Sequence, residues 1–288
     1  MNIILGASGQ IGSMLVQNLL RAGQEVRAVV HNSLKEQDFR DQGADAATAD
    51  LFDVESLKKA FRGANTVFLL TPEDPGSNDF IGETRSILKN YRDAVLSTGI
   101  SRIVGLSSMG AQHPAGTGNL EASYMLEHAF EGIDNEQIFI RPAYYFSNWM
   151  GYLELIKEHG ILPTFFPPDM RLPMIAPPEV AAFLAGVMKG DRQGERVYEI
   201  VGPCEYNAFE IAKIFEEVLG RAVSVQPIPP ESWEETLMQA GFSKDGARNL
   251  MLMTKAVMDG KARNDSIIPI RVSTDFKEYL ISEYHLNG

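Results

Sequence analysis

The sequence predicts an α/β protein built on a doubly wound parallel sheet, and two observations predict it. From residue 1 to about 140, short apolar or β-branched runs alternate with helical patterns, the order that strand–crossover–strand units produce. The first run also hands over to the first helical pattern through Gly6-Ala7-Ser8-Gly9-Gln10-Ile11-Gly12, the kind of glycine-rich turn that opens a dinucleotide-binding βαβ unit.

The elements follow in order. Strands are expected at 2–5, 25–30, 45–48, 66–70, 102–106 and 137–140, with helices at about 10–22, 33–42, 53–62, 78–98 and 119–131. Val67-Phe68-Leu69-Leu70 is apolar throughout, as a strand covered by helices on both faces should be. After Arg141-Pro142 the pattern loosens, and prolines at 163, 167, 168, 177 and 178 punctuate it. Helices are expected there at about 178–189, 207–219, 231–240, 243–258 and 274–284, with a strand at 197–201. This divides the chain into a Rossmann-type domain of residues 1–150 and a smaller C-terminal α/β lobe of residues 151–288 that completes a cleft.

Composition narrows the function. A chain of 288 residues that is 44% hydrophobic can bury a substantial core. Its formal charge of −12 argues against nucleic acid, because neutralising phosphates takes clustered Lys and Arg. A single cysteine, Cys204, excludes an intramolecular disulfide framework. His31, His113, His128, His159 and His285 are scattered, so no metal site is expected. Met1 leads straight into Ile3-Ile4-Leu5 without a basic leader, and no apolar run is long enough to cross a bilayer. The expected location is the cytoplasm.

The glycine turn has a specific task. Gly6 permits the tight turn, Gly9 lets the backbone approach a pyrophosphate, and Gly12 lets helix pack on strand. Helix amides and the positive helix end then face the anion. At the end of the second strand stand His31-Asn32, with Lys35 a turn further on. An NAD site often carries a carboxylate there, whereas a cation accommodates a 2′-phosphate. The expected cofactor is therefore NADP(H), with NAD(H) as the alternative; Arg27 is a further cation near the same pocket.

Later motifs carry a resemblance. They are Ala49-Asp50-Leu51 before Val54-Glu55-Ser56-Leu57, Leu70-Thr71-Pro72, Ser107-Ser108-Met109-Gly110, Glu127-His128 and Arg141-Pro142-Ala143-Tyr144-Tyr145-Phe146-Ser147-Asn148. Ala176-Pro177-Pro178-Glu179-Val180-Ala181 and Tyr198-Glu199-Ile200-Val201-Gly202-Pro203 belong with them. With the glycine turn, these make the chain resemble an atypical short-chain dehydrogenase/reductase of the NmrA-like branch, which includes type-2 quinone reductases and NADP-sensing regulators. The resemblance implies that Gly6, Ser8, Gly9, Gln10, Ile11 and Gly12 hold the pyrophosphate, and that Asp50 and Leu51 border the adenine. It further implies that Leu70, Thr71 and Pro72 run past the pyrophosphate and ribose, that Ser107, Ser108 and Pro142 face the nicotinamide, and that Tyr144, Tyr145 and Phe146 line the substrate side.

The sequence also departs from the wider superfamily, whose dehydrogenases pair a tyrosine acid/base with a lysine four residues later. Here Tyr124 is followed at that spacing by His128, which shares its helix face. These two are the expected catalytic pair, with His128 also beside the cofactor. Unperturbed imidazole is mostly neutral at pH 7 and depresses a tyrosine pKa poorly. The expected function is an NADPH-dependent reductase that passes hydride directly to a quinone or small conjugated carbonyl. The alternatives are a non-catalytic NADP(H)-binding redox sensor, which would need a protein partner or a second copy of the chain, and a nucleoside-diphosphate-sugar epimerase-like enzyme.

Overall fold

The computed structural model describes residues 1–191, 195–263 and 268–286. Its first half runs β1 (Asn2–Ile4), α1 (Gln10–Arg21), β2 (Val26–Val30), α2 (Glu36–Asp41), β3 (Asp45–Thr48), α3 (Val54–Phe61), β4 (Thr66–Leu70), α4 (Phe80–Thr98), β5 (Arg102–Leu106), α5 (Leu120–His128) and β6 (Glu136–Pro142). Helix starts are fixed by side chains: Asp53 accepts from the Glu55 amide ahead of α3, and Asp79 from the Gly82 amide ahead of α4. Along α1, Ile11, Leu15, Val16 and Leu19 recur at helical spacing and are all buried.

The second half adds β7 (Tyr144–Tyr145), α6 (Ser147–Met150), α7 (Leu153–His159), β8 (Ile161–Thr164), β9 (Leu172–Ile175), α8 (Pro177–Lys189), β10 (Val197–Val201), β11 (Glu205–Tyr206), α9 (Ala208–Leu219), β12 (Ser224–Pro227), α10 (Trp233–Gln239), α11 (Lys244–Met258), β13 (Ile270–Arg271) and α12 (Phe276–Leu286). The main sheet has eight strands in the order β13-β10-β6-β5-β4-β1-β2-β3, every neighbouring pair parallel.

That order places the border differently from residue 150. β10 pairs with β6 in the register Val197↔Phe139 to Ile200↔Pro142, and β13 continues the sheet beside β10. Helix α8 packs on α1. Two strands and a helix of the C-terminal half therefore complete the nucleotide-domain sheet, because β6 would otherwise leave a buried apolar strand without its second ladder. What remains is a lobe of two small sheets, β11-β9-β7 and β12-β8, with α6, α7 and α9 to α12. Its core holds Phe146, Trp149, Ile156, Phe215 and Phe276. No helix among the described residues is long and apolar enough to cross a membrane, and none of their His, Cys, Asp or Glu clusters could hold a metal ion.

Candidate functional site

The glycine turn closes on itself and leaves the start of α1 without a side-chain cap. Gly6 takes φ 60°, in the left-handed region, and a Cβ there would lie 2.8 Å from Leu70 Cδ2. The Gly9 amide donates to the Gly6 carbonyl at 2.9 Å, closing the turn. Gly9 is also the N-cap of α1, and no side chain caps it and no acid stands in the first turn. The first amides of α1 therefore point outward with the positive helix end behind them. Gln10 Oε1 accepts from Ser147 Oγ at 3.2 Å, which ties the turn to the start of the lobe.

The neighbouring strand ends form the rim. His31, Asn32 and Lys35 follow β2 and are all exposed, but Asn32 uses its side-chain oxygen to cap the turn at Ser33–Lys35 by accepting from the Leu34 amide. Arg27 is elsewhere: it sits early in β2, where its Nε meets Asp45 at 2.6 Å and its Nη1 donates to the carbonyls of Ala60 and Arg62. It does not reach the His31 pocket. After β3, Asp50 Oδ1 accepts from the Phe52 amide, and the Leu51 carbonyl accepts from Asn90.

A cavity of about 770 Å³ lies where the carboxyl ends of β4, β5 and β6 meet the lobe. Leu70 and Thr71 enter it from β4, Ser107 and Ser108 from β5, and Pro142 from β6. Fully buried Tyr91 steadies the β4 end by donating to the Leu70 carbonyl at 3.1 Å. The lobe contributes Tyr144, Tyr145, Trp149, Tyr152 and Phe165, while α10 and α11 cover the far side with Leu237, Leu250 and Met253. Burial pushes the Tyr144 and Tyr145 phenols above their ordinary range; the neighbouring Tyr152 adds to the first and Glu73 to the second. Neither phenol is suited to ionise near neutrality.

Phe146 does not share this lining. It is completely buried in the lobe core, edge-on to Tyr206 and Phe276, because the chain leaves β7 after Tyr145 and turns inward. The aromatics of the lobe that do line the cavity beyond Tyr145 include Trp149, Tyr152, Phe165 and Phe166.

Helix α5 carries the largest difference from expectation. Its start borders the cavity: Leu120 and Ser123 line it, and Asn119 Nδ2 donates to Glu73 Oε2 at 2.9 Å. Tyr124 and His128 do not. Their rings stack on each other at 4.0 Å, His128 Nδ1 lies 2.7 Å from the Tyr124 carbonyl oxygen, and Nε2 is 3.8 Å from Glu131. The reason is topological. A crossover helix after β5 begins at the carboxyl edge of the sheet and runs back to the amino edge, so its last residue, His128, finishes away from the cavity.

Between those ends, Glu127 turns inward. Its Oε1 accepts from Ser107 Oγ at 2.5 Å and from Arg141 Nε at 2.8 Å, and its Oε2 from Arg141 Nη2 at 2.7 Å. Arg141 Nη1 also reaches Glu199 at 3.5 Å. Desolvation alone would lower the Arg141 pKa, but the two carboxylates outweigh it and raise it above the ordinary value. The Ser107 hydroxyl is therefore engaged by a buried carboxylate, while Ser108 Oγ donates to the Met109 carbonyl at 3.1 Å.

The model of the NmrA-like family matches residues 2–280. The chain belongs to the NmrA-like family. Within reach of this NmrA-like chain is the NAD(P)H azoreductase of Xenophilus azovorans, 23% identical over 246 residues that cover 84% of this chain and 82% of the relative. The NADPH-dependent quinone oxidoreductase QOR2 of Escherichia coli, solved in complex with NADPH, superposes with a TM-score of 0.79 at 22% identity and full coverage of both chains. The triphenylmethane reductase of Citrobacter sp., solved with NADP(H), gives a TM-score of 0.79 at 24% identity, covering 98% of this chain and 99% of that one. At these identities the structural matches establish a shared fold.

Several residues that line the cavity of this NmrA-like chain, or, like Asn119, hold a lining side chain, escape sequence reasoning. Glu73 follows Leu70-Thr71-Pro72 directly and reads as a loop acid. Asn119 and Ser123 stand four apart at the start of α5, the same spacing as Tyr124 and His128, and carry no motif of their own. The α10–α11 cover is apolar, which looks like core. Only the path of the chain brings these residues to one cavity.

Proposed function

We propose that this protein is an NADPH-dependent reductase that transfers hydride directly to a flat conjugated acceptor, a quinone or small conjugated carbonyl. The observation that carries the reading is the cavity at the carboxyl ends of β4 to β6. Leu70, which lines it, lies against Gly6 of the glycine turn, it is walled by Tyr144, Tyr145, Trp149 and Phe165, and α5 presents Leu120 and Ser123 to it rather than a tyrosine–lysine pair. A bound nicotinamide would supply hydride. The residues that would hold the cofactor are the amides of Gly9 to Gly12 at the diphosphate, His31 and Lys35 at a 2′-phosphate, Asp50 and Leu51 at the adenine, and Thr71, Ser108 and Pro142 near the nicotinamide. The glycine turn fits such a group: a Cβ at Gly9 would crowd the Gly6 carbonyl at 3.2 Å and stand in the space a diphosphate approaches. The aromatic walls orient a planar acceptor and exclude water. The azoreductase and quinone oxidoreductase names among the similar proteins support this acceptor class.

The test is NADPH oxidation by the purified protein against a panel of quinones and conjugated aldehydes, beside calorimetric titration with NADPH and NADH. Turnover and tighter NADPH binding are expected, with the preference lost in a His31→Ala, Lys35→Ala double variant. Tight NADPH binding without turnover on any acceptor would favour a redox sensor instead. An epimerase-like reaction would need a tyrosine–lysine pair at the acceptor; Tyr124 does not line the cavity, and His128 stands where the lysine would be.

A further inference from the structure

We propose that Glu73 is the proton donor of this site, delivering a proton from its carboxyl to the acceptor's oxygen as hydride arrives. The role rests on the reductase reading above. Among the described residues lining the cavity, Glu73 is the only one with a carboxyl, and none carries an ammonium, guanidinium or imidazole. The residue is exposed and lines the cavity, which places it at the mouth.

Its placement is fixed from outside. The 73–80 segment is held against the α10–α11 connection: the Ser243 amide donates to the Pro75 carbonyl at 2.9 Å, Ser243 Oγ donates to the Ser77 carbonyl, and Asp245 Oδ2 accepts from the Phe80 amide at 2.9 Å. Asn119, from the start of α5, donates to Oε2, which leaves Oε1 free to carry the proton. Among the described residues lining the cavity with Glu73 there is no cation. Asn119 is neutral, Tyr145 from β7 is the titratable neighbour, and α10 and α11 present Leu237, Leu250 and Thr254. Asp74, on the same loop, is occupied by the Gly76 amide. Desolvation by these walls raises the Glu73 pKa above the ordinary carboxylate value, and the Asn119 amide opposes this only in part. A raised pKa favours the protonated carboxyl, the form a donor needs.

The step balances. The acceptor carbon or conjugated system gains hydride, with its two electrons, from the dihydronicotinamide. The Glu73 O–H bond breaks as an O–H bond forms on the acceptor's oxygen. The cofactor ends oxidised, and the Glu73 carboxylate recovers a proton from water at the mouth. With Asn119 and Ser123 at the cavity end of α5, the acid sits on the β4 loop instead of on the helix.

The experiment compares wild type with Glu73→Gln and Glu73→Asp, using the quinone or aldehyde that the wild type reduces best. Glu73→Gln should lower kcat by ~10²–10⁴-fold and leave the NADPH dissociation constant within about twofold, since a donor to the acceptor does not hold the cofactor. The wild-type kcat should fall as pH rises through the Glu73 pKa; that limb should vanish in Glu73→Gln and move in Glu73→Asp. Independently of turnover, infrared spectra of the NADP⁺ complex should show a protonated carboxyl band near neutral pH that Glu73→Gln removes. Wild-type-like kcat in Glu73→Gln, or a pH limb that survives it, overturns the role while leaving the reductase reading intact. Absence of the infrared band in the complex also overturns it. Absence of NADPH oxidation by the wild type with every acceptor overturns the reductase reading, and the donor role with it.

Discussion

Replacing Gly12 by alanine tests the turn where it is tightest. A Cβ there would sit 2.1 Å from the Gly6 carbonyl oxygen, 2.8 Å from its carbon and 3.0 Å from Ala7 Cα. All three obstacles are backbone, so no side chain can swing aside. Ordinary contact begins near 3.5 Å, so α1 must retreat by about 1 Å or more. That movement pulls Ile11, Leu15, Val16 and Leu19 off the sheet and strains the contact with α8. Overpacking of this kind costs about 1–3 kcal/mol, and a backbone obstacle belongs at the upper end. Alanine's better helix propensity returns up to ~1 kcal/mol, leaving roughly 2 kcal/mol net. For a chain of this size each kcal/mol moves Tm by about 2–4 °C, so a fall of about 4–8 °C is expected. Gly9→Ala is the control: its Cβ meets only the Gly6 carbonyl, at 3.2 Å, and Tm should stay within about 2 °C. Gly9→Val should keep the fold and lose NADPH binding. The assay is thermal denaturation followed by circular dichroism, with NADPH titration at 25 °C. A Gly12→Ala protein as stable as wild type would refute the packing argument, and a Gly9→Val protein that binds NADPH normally would refute the phosphate cradle.

Three further outcomes follow from the same geometry. Glu127→Ala strips buried Arg141 of its bidentate partner and should cost about 3–5 kcal/mol, read as a lower urea midpoint; a loss under about 1 kcal/mol would mean the pair is solvated. Tyr124→Phe and His128→Ala should each change kcat by less than about threefold, far from the ~10²–10⁴-fold of a lost acid or base; a collapse in either would return that pair to the chemistry. Because the folded Glu73 pKa lies above its ordinary value of 4.5, its contribution to stability is fully present below that value and is lost as pH rises through the folded pKa. Glu73→Gln should therefore gain on the wild type in chemical denaturation between acid and neutral pH, and a constant difference across that range would contradict the shift.

The sheet was largely legible. Residues 45–48, 66–70, 102–106 and 197–201 form strands on the residues expected; for the central strand 66–70 this follows because a strand covered on both faces must be an apolar run. The lobe was not. β7, β11 and β13 are two residues long, too short for any period to show, and β8 and β12 contain Pro163 and Pro227. Those prolines fit because each strand of that pair is an edge. The site divides in the same way. Strand ends follow from the topology, and Thr71, Ser108 and Pro142, which the resemblance put at strand ends, do line the cavity. Helix spacing says which residues share a face, yet not which face meets the cavity. On α5 the pairs Asn119/Ser123 and Tyr124/His128 satisfy the same spacing, and the orientation is decided by Glu127 meeting Arg141, a contact no local pattern contains.

The completion of the sheet by β10 also bears on how the chain is made. When β6 has been synthesised up to Pro142, its outer edge has no strand to pair with until Val197, 55 residues later. At ~5–20 residues per second, that leaves the ladder from Phe139 to Pro142 open for about 3–11 s. Such an edge is a template for pairing with another nascent chain. A ribosome that stalls between these points would therefore expose an apolar strand edge that the finished fold covers, and holdase chaperones should engage the nascent chain in that interval.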